Sequence, residues 1–397
     1  MRTFCRLSSA LILVTACTLS AAAGNLEGLL RTLKAVGPKG AGNRQAARAW
    51  EELAQADAEQ LPVILAGLDD AGPLAANWIR TAVDAVAERQ LQRGGKLPAA
   101  ELERFVLDRR HAPRARRLAY EWLLRVDPAA PQRLIAGMLD DPSLELRRDA
   151  VARRIDQAAA LEGGATTGTT RGGRGFVTPE QRDRAVAVYQ EALTAARDPD
   201  QVNLVADRLR KLGLEVDLPR HFGFLVRWKV IGPFDNADEK GFDAVYPPER
   251  EIDLQASYQG KHGEVKWIDH LTRDNYGWVD LNKALVEEKS VVGYAMAEFA
   301  SKDRQEVELR AASYNAAKFW LNGKVVYQRN VNHMGSQMDQ YVVPVALSPG
   351  RNVILVKVCQ NAIMEEWANW WGFQLRVCDA NGTASLSTDR DKQPAAK

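Results

Sequence analysis

Net charge is almost absent from this chain. It sets 53 Lys and Arg against 51 Asp and Glu, a formal balance of +2, which lacks the strong basic excess of a nucleic-acid binder. Past the N-terminal leader, no run approaches the ~20 apolar residues that cross a bilayer as a helix. Cysteine is scarce: Cys5 and Cys17 fall in the leader, and only Cys359 and Cys378 lie beyond it. Both fall in predicted strands. If those strands form a hairpin, Cys378 lies about six residues past the partner of Cys359, roughly 20 Å at ~3.3 Å per residue. That exceeds the ~7 Å reach of a disulfide.

Catalytic signatures are missing as well. There is no H-E-x-x-H, C-x-x-C or G-x-S-x-G. The five histidines, His111, His221, His262, His270 and His333, are scattered without metal-ligand spacing. Gly37-Pro38-Lys39-Gly40-Ala41-Gly42 superficially resembles a phosphate loop but lacks the preceding strand and the following Lys-Ser/Thr. Glu365 and Glu366 are adjacent, and in extended chain they point to opposite faces. They do not face each other across the ~5–10 Å that glycoside hydrolysis needs. No catalytic residue, metal ligand or cofactor site is assigned.

What is present begins with a leader. Arg2 and Arg6 form a positive start, Leu7 to Ser20 is mostly apolar and small, and Ala21-Ala22-Ala23 offers a cleavage site before Gly24. Residues 1–23 therefore read as a signal peptide and the protein as exported. Val14-Thr15-Ala16-Cys17 also fits a lipobox, which would leave a lipidated Cys17 as the membrane anchor. Both routes stay open.

Residues 24–220 read as helical, with apolar residues recurring at a period of 3.6. Thr178-Pro179-Glu180-Gln181 is a capping box with Pro at the first helical position. Asp141-Pro142 and Asp198-Pro199 suggest Asp caps of the same kind. Predicted starts at Asp70, Asp108 and Asp141 follow the ~30–45-residue period of two-helix repeats. The wider gap to Asp198 is accounted for by a Gly/Thr/Arg insertion at 163–175, predicted to be flexible. Asp141, Leu146, Arg147 and Ala150 match the second helix of a HEAT repeat, and this half resembles that family. The resemblance implies an α-solenoid with a surface for a protein partner. The Arg clusters (Arg109-Arg110, Arg114 to Arg117, Arg147-Arg148, Arg153-Arg154) read as solvated helix surface paired with acids, ahead of an anion-binding face.

From about residue 221 to 380 the pattern turns to strands. Phe224 to Ile231, ended by Gly232-Pro233, is the first. Ser290 to Phe299, Gln305 to Ala312, Gln340 to Leu347, Asn352 to Cys359 and Trp371 to Cys378 follow. Asn322-Gly323 between Trp320-Leu321 and Lys324-Val325 signals a tight hairpin. Trp320-Leu321-Asn322-Gly323-Lys324 and Leu347-Ser348-Pro349-Gly350-Arg351-Asn352 resemble the sugar-binding domain of family 2 glycoside hydrolases. Trp228 to Asp235 and Val245 to Glu249 resemble secreted planctomycete-type proteins. The resemblance implies a galactose-binding-like jelly-roll β-sandwich, making the whole a multidomain α plus all-β chain. Residues 381–397 read as a disordered tail.

Trp228, Trp320 and Phe373 read as core, because large aromatics anchor such sandwiches. Ligand candidates lie in the loops. Glu365-Glu366-Trp367-Ala368-Asn369-Trp370-Trp371 gathers three indoles and two carboxylates between two strands. Trp370 and Trp371 are expected to start the last strand and be buried, leaving Trp367 as platform with Glu366, Tyr314 and Asn315 beside it. A loop indole can cover the apolar face of a sugar while amides and carboxylates take its hydroxyls. The sequence thus points to an exported non-catalytic binding or assembly protein with a glycan as ligand. A polysaccharide hydrolase or lyase with carboxylate catalysts, or a structural envelope component, is the alternative.

Overall fold

A computed structural model describes residues 25–162 and 178–390. The leader with Cys17, the insertion at 163–175 and residues 391–397 lie outside the described residues. The chain divides into two compact units, Met1–Val205 and Ala206–Lys397. The first is helical, the second built mainly of antiparallel sheets. No helix among the described residues is long and apolar enough to cross a membrane.

The helical unit runs through α1 (25–34), α2 (Asn43–Leu53), α3 (Leu61–Ala66), α4 (Pro73–Gln92), α5 (Ala99–Leu107) and α6 (Pro113–Val126). It continues through α7 (Ala130–Leu134), α8 (Leu144–Glu162), α9 (Pro179–Ala195) and the start of α10 (Pro199–Lys211). Spacing explains the packing. In α4 Ile79, Ala82, Val83, Val86 and Ala87 are all buried, the i, i+3, i+4, i+7, i+8 stripe of a helix with one apolar face. Ala115, Leu118, Ala119, Trp122 and Leu123 repeat it in α6. Both stripes enter one core with Leu33, Leu53 and Leu65.

Helix starts were only partly legible. Thr178 caps α9 with the full capping box. Asp70, Asp108 and Asp141 cap none of these helix starts: α4 starts at Pro73 behind Gly72, α6 at Pro113 behind Ala112, and α8 at Leu144. Proline at the first helical position sets the first two starts, and the carboxylates serve basic side chains instead. Lys34 pairs with Asp70 and Arg110 with Asp108. Asp141 is buried beneath Arg116, which grips it with two bonds of 2.8 Å.

Several arginines bridge segments far apart in sequence, and Arg116 and Arg147 are buried where solvated surface was expected. Arg80 reaches Glu121, the Trp122 indole donates to Asp84, Arg109 reaches Asp140 and Arg117 reaches Asp149, at sequence separations of 41, 38, 31 and 32. Charge pairs at these separations link segments far apart in sequence and occupy the guanidinium groups that an anion would need.

The second unit takes the rest of α10, continues into α11 (Leu218–Phe222) and holds three sheets. The six-stranded sheet is ordered β4 (Ile268–Leu271), β1 (Arg227–Asp235), β6 (Val291–Ser301), β11 (Gly350–Gln360), β8 (Ala316–Leu321) and β9 (Lys324–Arg329). The four-stranded sheet is ordered β10 (Tyr341–Leu347), β7 (Gln305–Ser313), β12 (Gly372–Cys378) and β5 (Val279–Asp280). The hairpin of β2 (Ser257–Gln259) and β3 (Glu264–Lys266) stands apart. Asn322 and Gly323 take φ of 50° and 78°, and Leu321 pairs with Lys324, the geometry an Asn-Gly hairpin requires.

Alternation along β11 assigns its faces. Ile354, Val356 and Val358 join Phe299, Leu309, Phe373 and Leu375 in the core shared by the two larger sheets. Leu355 and Cys359 face a second cluster under residues 234–267. Lys357 lies between them, fully buried, donating to the Phe242 and Ala244 carbonyls at 3.1 and 2.7 Å and to Glu249 at 2.8 Å. This clamp holds the Val245 to Glu249 stretch against the sheet.

Three expectations need correction. Gly232-Pro233 does not end the first strand, because β1 absorbs the pair in a bulge between Ile231 and Phe234 and runs on to Asp235. β11 and β12 are not a hairpin, so Cys359 and Cys378 sit in different sheets, both free and buried. Residues 381–390 are not a loose tail. Ala384 bridges Cys378, Thr388 N–H donates to the Ala300 carbonyl, and Arg390 donates to the Phe224 carbonyl at 2.9 Å.

Burial pushes the thiols of Cys359 and Cys378 up to about 12 and about 11 from an ordinary 9.0. A raised folded-state value gives stability that is complete below pH 9 and is lost as pH climbs toward 11–12. The loss is about 1.4 kcal/mol per thiol per pH unit in that window. Urea midpoints at pH 8 and pH 10.5 should therefore fall further in the wild type than in Cys359→Ala. Equal falls would show that this thiol ionises as readily in the folded protein as in the unfolded chain.

Candidate functional site

The segment 361–371, joining β11 to β12, is held by its own carbonyls. Lys289 Nζ donates to the Ala368 carbonyl at 2.7 Å and Gln360 Nε2 to the same oxygen at 3.1 Å. Asn282 Nδ2 takes the Asn369 carbonyl at 2.8 Å, and Asn315 Nδ2 takes that of Trp370 at 3.0 Å. A short 3-10 turn over Glu366–Ala368 completes the path. Burial lowers the Lys289 pKa, opposed by the nearby carboxylates Glu287 and Glu365.

The three indoles of this segment meet different fates. Trp371 is 1% exposed, whereas Trp367 is 58% and Trp370 is 54% exposed. Trp370 was expected to begin the last strand and be buried, but β12 begins only at Gly372, so Trp370 remains in the loop. Its ring stacks on Tyr314 at 5.5 Å and 25°, and Tyr314 meets Trp278 edge-on at 5.5 Å. Trp367 takes an edge contact from His333 at 4.8 Å, and the other side of His333 is tied to Asn361 at 2.8 Å. Both exposed rings are thus braced before any ligand arrives.

Trp367, Trp370, Glu366 and Asn369 form one wall of a cleft of about 720 Å³. Asp280, Asn282, Lys283 and Glu287 form the rest. Asp280 caps the short helix α12 (Leu281–Ala284) through the Asn282 and Lys283 N–H groups and pairs with Lys283 Nζ at 3.2 Å. Two indoles, two amides and several carboxylates converge on one open space, a set that offers apolar stacking faces beside hydrogen-bonding groups. Among the described residues no group of three His, Cys, Asp or Glu is placed to hold a metal ion.

Of the residues singled out from sequence, Trp367 and Glu366 line the cleft, while Tyr314 stands behind Trp370 as its support. Asn315 is not a ligand group. It is buried, and its amide is spent on Gln360 at 2.9 Å, the Trp370 carbonyl and the Gly372 N–H. Asp280, Asn282, Lys283 and Glu287 carry no sequence signal for this role, since only folding brings their stretch to the Trp-rich loop.

No protein-family model matches the chain, and no curated protein matches it. Solved structures that match include a β-glucosidase from Kluyveromyces marxianus in complex with glucose, at 11% identity over 79% of this chain and 38% of that one, TM-score 0.28. A β-glucuronidase from an uncultured Clostridium species matches at 16% identity over 40% and 29%, TM-score 0.22. A family 31 α-xylosidase from Xanthomonas citri matches at 16% identity over 28% and 15%, TM-score 0.19. The chain thus spans well under half the length of each of these glycosidases.

Proposed function

We propose that the sheet-rich unit is a galactose-binding-like jelly-roll sandwich that binds carbohydrate in the Trp367–Trp370 cleft, within an exported, non-catalytic binding protein. The observation that carries this reading is the pair of half-exposed indoles on a pinned loop. Large apolar rings left open beside polar groups mark a binding surface, and a hexose offers the match: a flat C–H face for the indole and hydroxyls for Asn282, Asn369 and Glu366. The helical unit is read as a HEAT-like array that docks a partner protein, supported by charge bridges that join residues 31 to 41 positions apart. The Arg2-to-Ala23 leader supports export.

Calorimetric titration of the intact chain with neutral oligosaccharides tests the cleft. Trp367→Ala and Trp370→Ala are each expected to weaken binding at least ten-fold, since uncovering an indole-sized contact forfeits roughly 1.5 kcal/mol or more. Binding that survives both changes would place the sugar elsewhere. Reducing-sugar release from a polysaccharide would favour the hydrolase alternative.

A further inference from the structure

The charge around the cleft narrows the class of sugar. Three carboxylates, those of Asp280, Glu287 and Glu366, line it against one ammonium, that of Lys283. Lys283 is already committed to Asp280 at 3.2 Å. Among the described residues the carboxylates of Glu287 and Glu366 make no hydrogen bond or close ion pair, and Glu287 interacts with Lys289 only through its charge. Lys289 is half-buried and donates to the Ala368 carbonyl at 2.7 Å. The open space between the indoles and α12 is therefore net negative. The exposed faces of Trp367 and Trp370 add to this, because indole is the strongest side-chain partner for a cation.

We propose that the cleft prefers sugars bearing a free ammonium, glucosamine-type residues, over their neutral or N-acetylated counterparts, and rejects uronate- or sulfate-bearing glycans. This rests on the carbohydrate reading above. Each unlike pair at ~4 Å in a water-like medium changes affinity about five-fold, and each like pair opposes it equally. An ammonium over an indole adds to the preference, and a carboxylate or sulfate in the same place gains nothing from the ring.

The test compares ligands that differ only in charge: glucosamine tetramer and N-acetylglucosamine tetramer, with cellotetraose and tetragalacturonate alongside, titrated into the intact chain. At low ionic strength the glucosamine tetramer should bind at least ten-fold more tightly than its acetylated form, and tetragalacturonate should not bind. Adding 0.5 M NaCl should shrink the difference, because exposed charges are screened. In the double variant Glu287→Gln/Glu366→Gln the ratio of free-amine to acetylated tetramer affinity should fall to within about two-fold. Equal affinity for the acetylated and free amine forms, or a preference that survives the double variant, overturns the proposal and leaves the carbohydrate reading standing. If none of the four sugars binds, both fall.

Discussion

Asp141→Ala is expected to lower the stability of the helical unit by about 3–5 kcal/mol, the cost of stripping one partner from a buried ion pair. Arg116 and Asp141 are each 1% exposed and share two parallel bonds of 2.8 Å. Arg116 Nε also donates to the Val106 carbonyl at 2.7 Å, while Asp141 accepts from the Ser143 N–H at 2.8 Å and, through its carbonyl, from Arg147 at 2.8 Å. One carboxylate thus ties the end of α5, the body of α6 and the start of α8. Alanine leaves a guanidinium in the core with two N–H groups and no acceptor. The companion Arg116→Met/Asp141→Ala should recover much of the loss, because removing both charges removes the desolvation cost with them. By contrast Arg110→Ala breaks an exposed pair with Asp108 and should cost less than about 1 kcal/mol. Urea titrations followed by helical circular dichroism on these variants form a double-mutant cycle. A cost under 1 kcal/mol for Asp141→Ala would mean that water reaches the pair.

That pair shows where sequence reading stops. A capping residue before Pro is a sound local signal for a helix start: Thr178 caps α9, and α10 starts at Pro199 directly after Asp198. Asp141 caps no helix start, because its acceptor capacity is claimed by a side chain brought in by tertiary packing. The same divide runs through the sheets. The long strands were legible because apolar alternation persists for seven or more residues, and Asn322-Gly323 was legible because its turn needs two positive φ angles. β2 to β5 were not, being two to four residues long and largely polar. Gly232-Pro233 misled for another reason: a stop signal in isolation became a bulge once β6 supplied hydrogen bonds on both sides of it. At the site, the concentration of indoles in one loop was visible. The opposite wall, from Asp280 to Glu287, was not, because its residues acquire a shared purpose only when β5 pairs with β12.

Trp371→Ala and Trp367→Ala should separate structure from binding within one loop. Trp371 fills the shared core, its indole N–H donates to the Val358 carbonyl at 3.2 Å, and its ring lies where any side chain at Gly293 would have to go. Truncating it empties an indole-sized space and removes that hydrogen bond, so the sheet-rich unit should lose about 3–5 kcal/mol. Trp367 has more than half its surface in water and touches chiefly the edge of His333. Its removal should change stability by no more than about 0.5 kcal/mol, as for other exposed positions, while glycan affinity falls at least ten-fold. The anchors of the loop, Lys289, Gln360, Asn282 and Asn315, all hold backbone carbonyls, so the path of the chain survives the loss of this side chain. Thermal melts and titrations on the two variants are read together. A large stability loss in Trp367→Ala would show the ring to be packing rather than platform, and would retire the cleft as a sugar site.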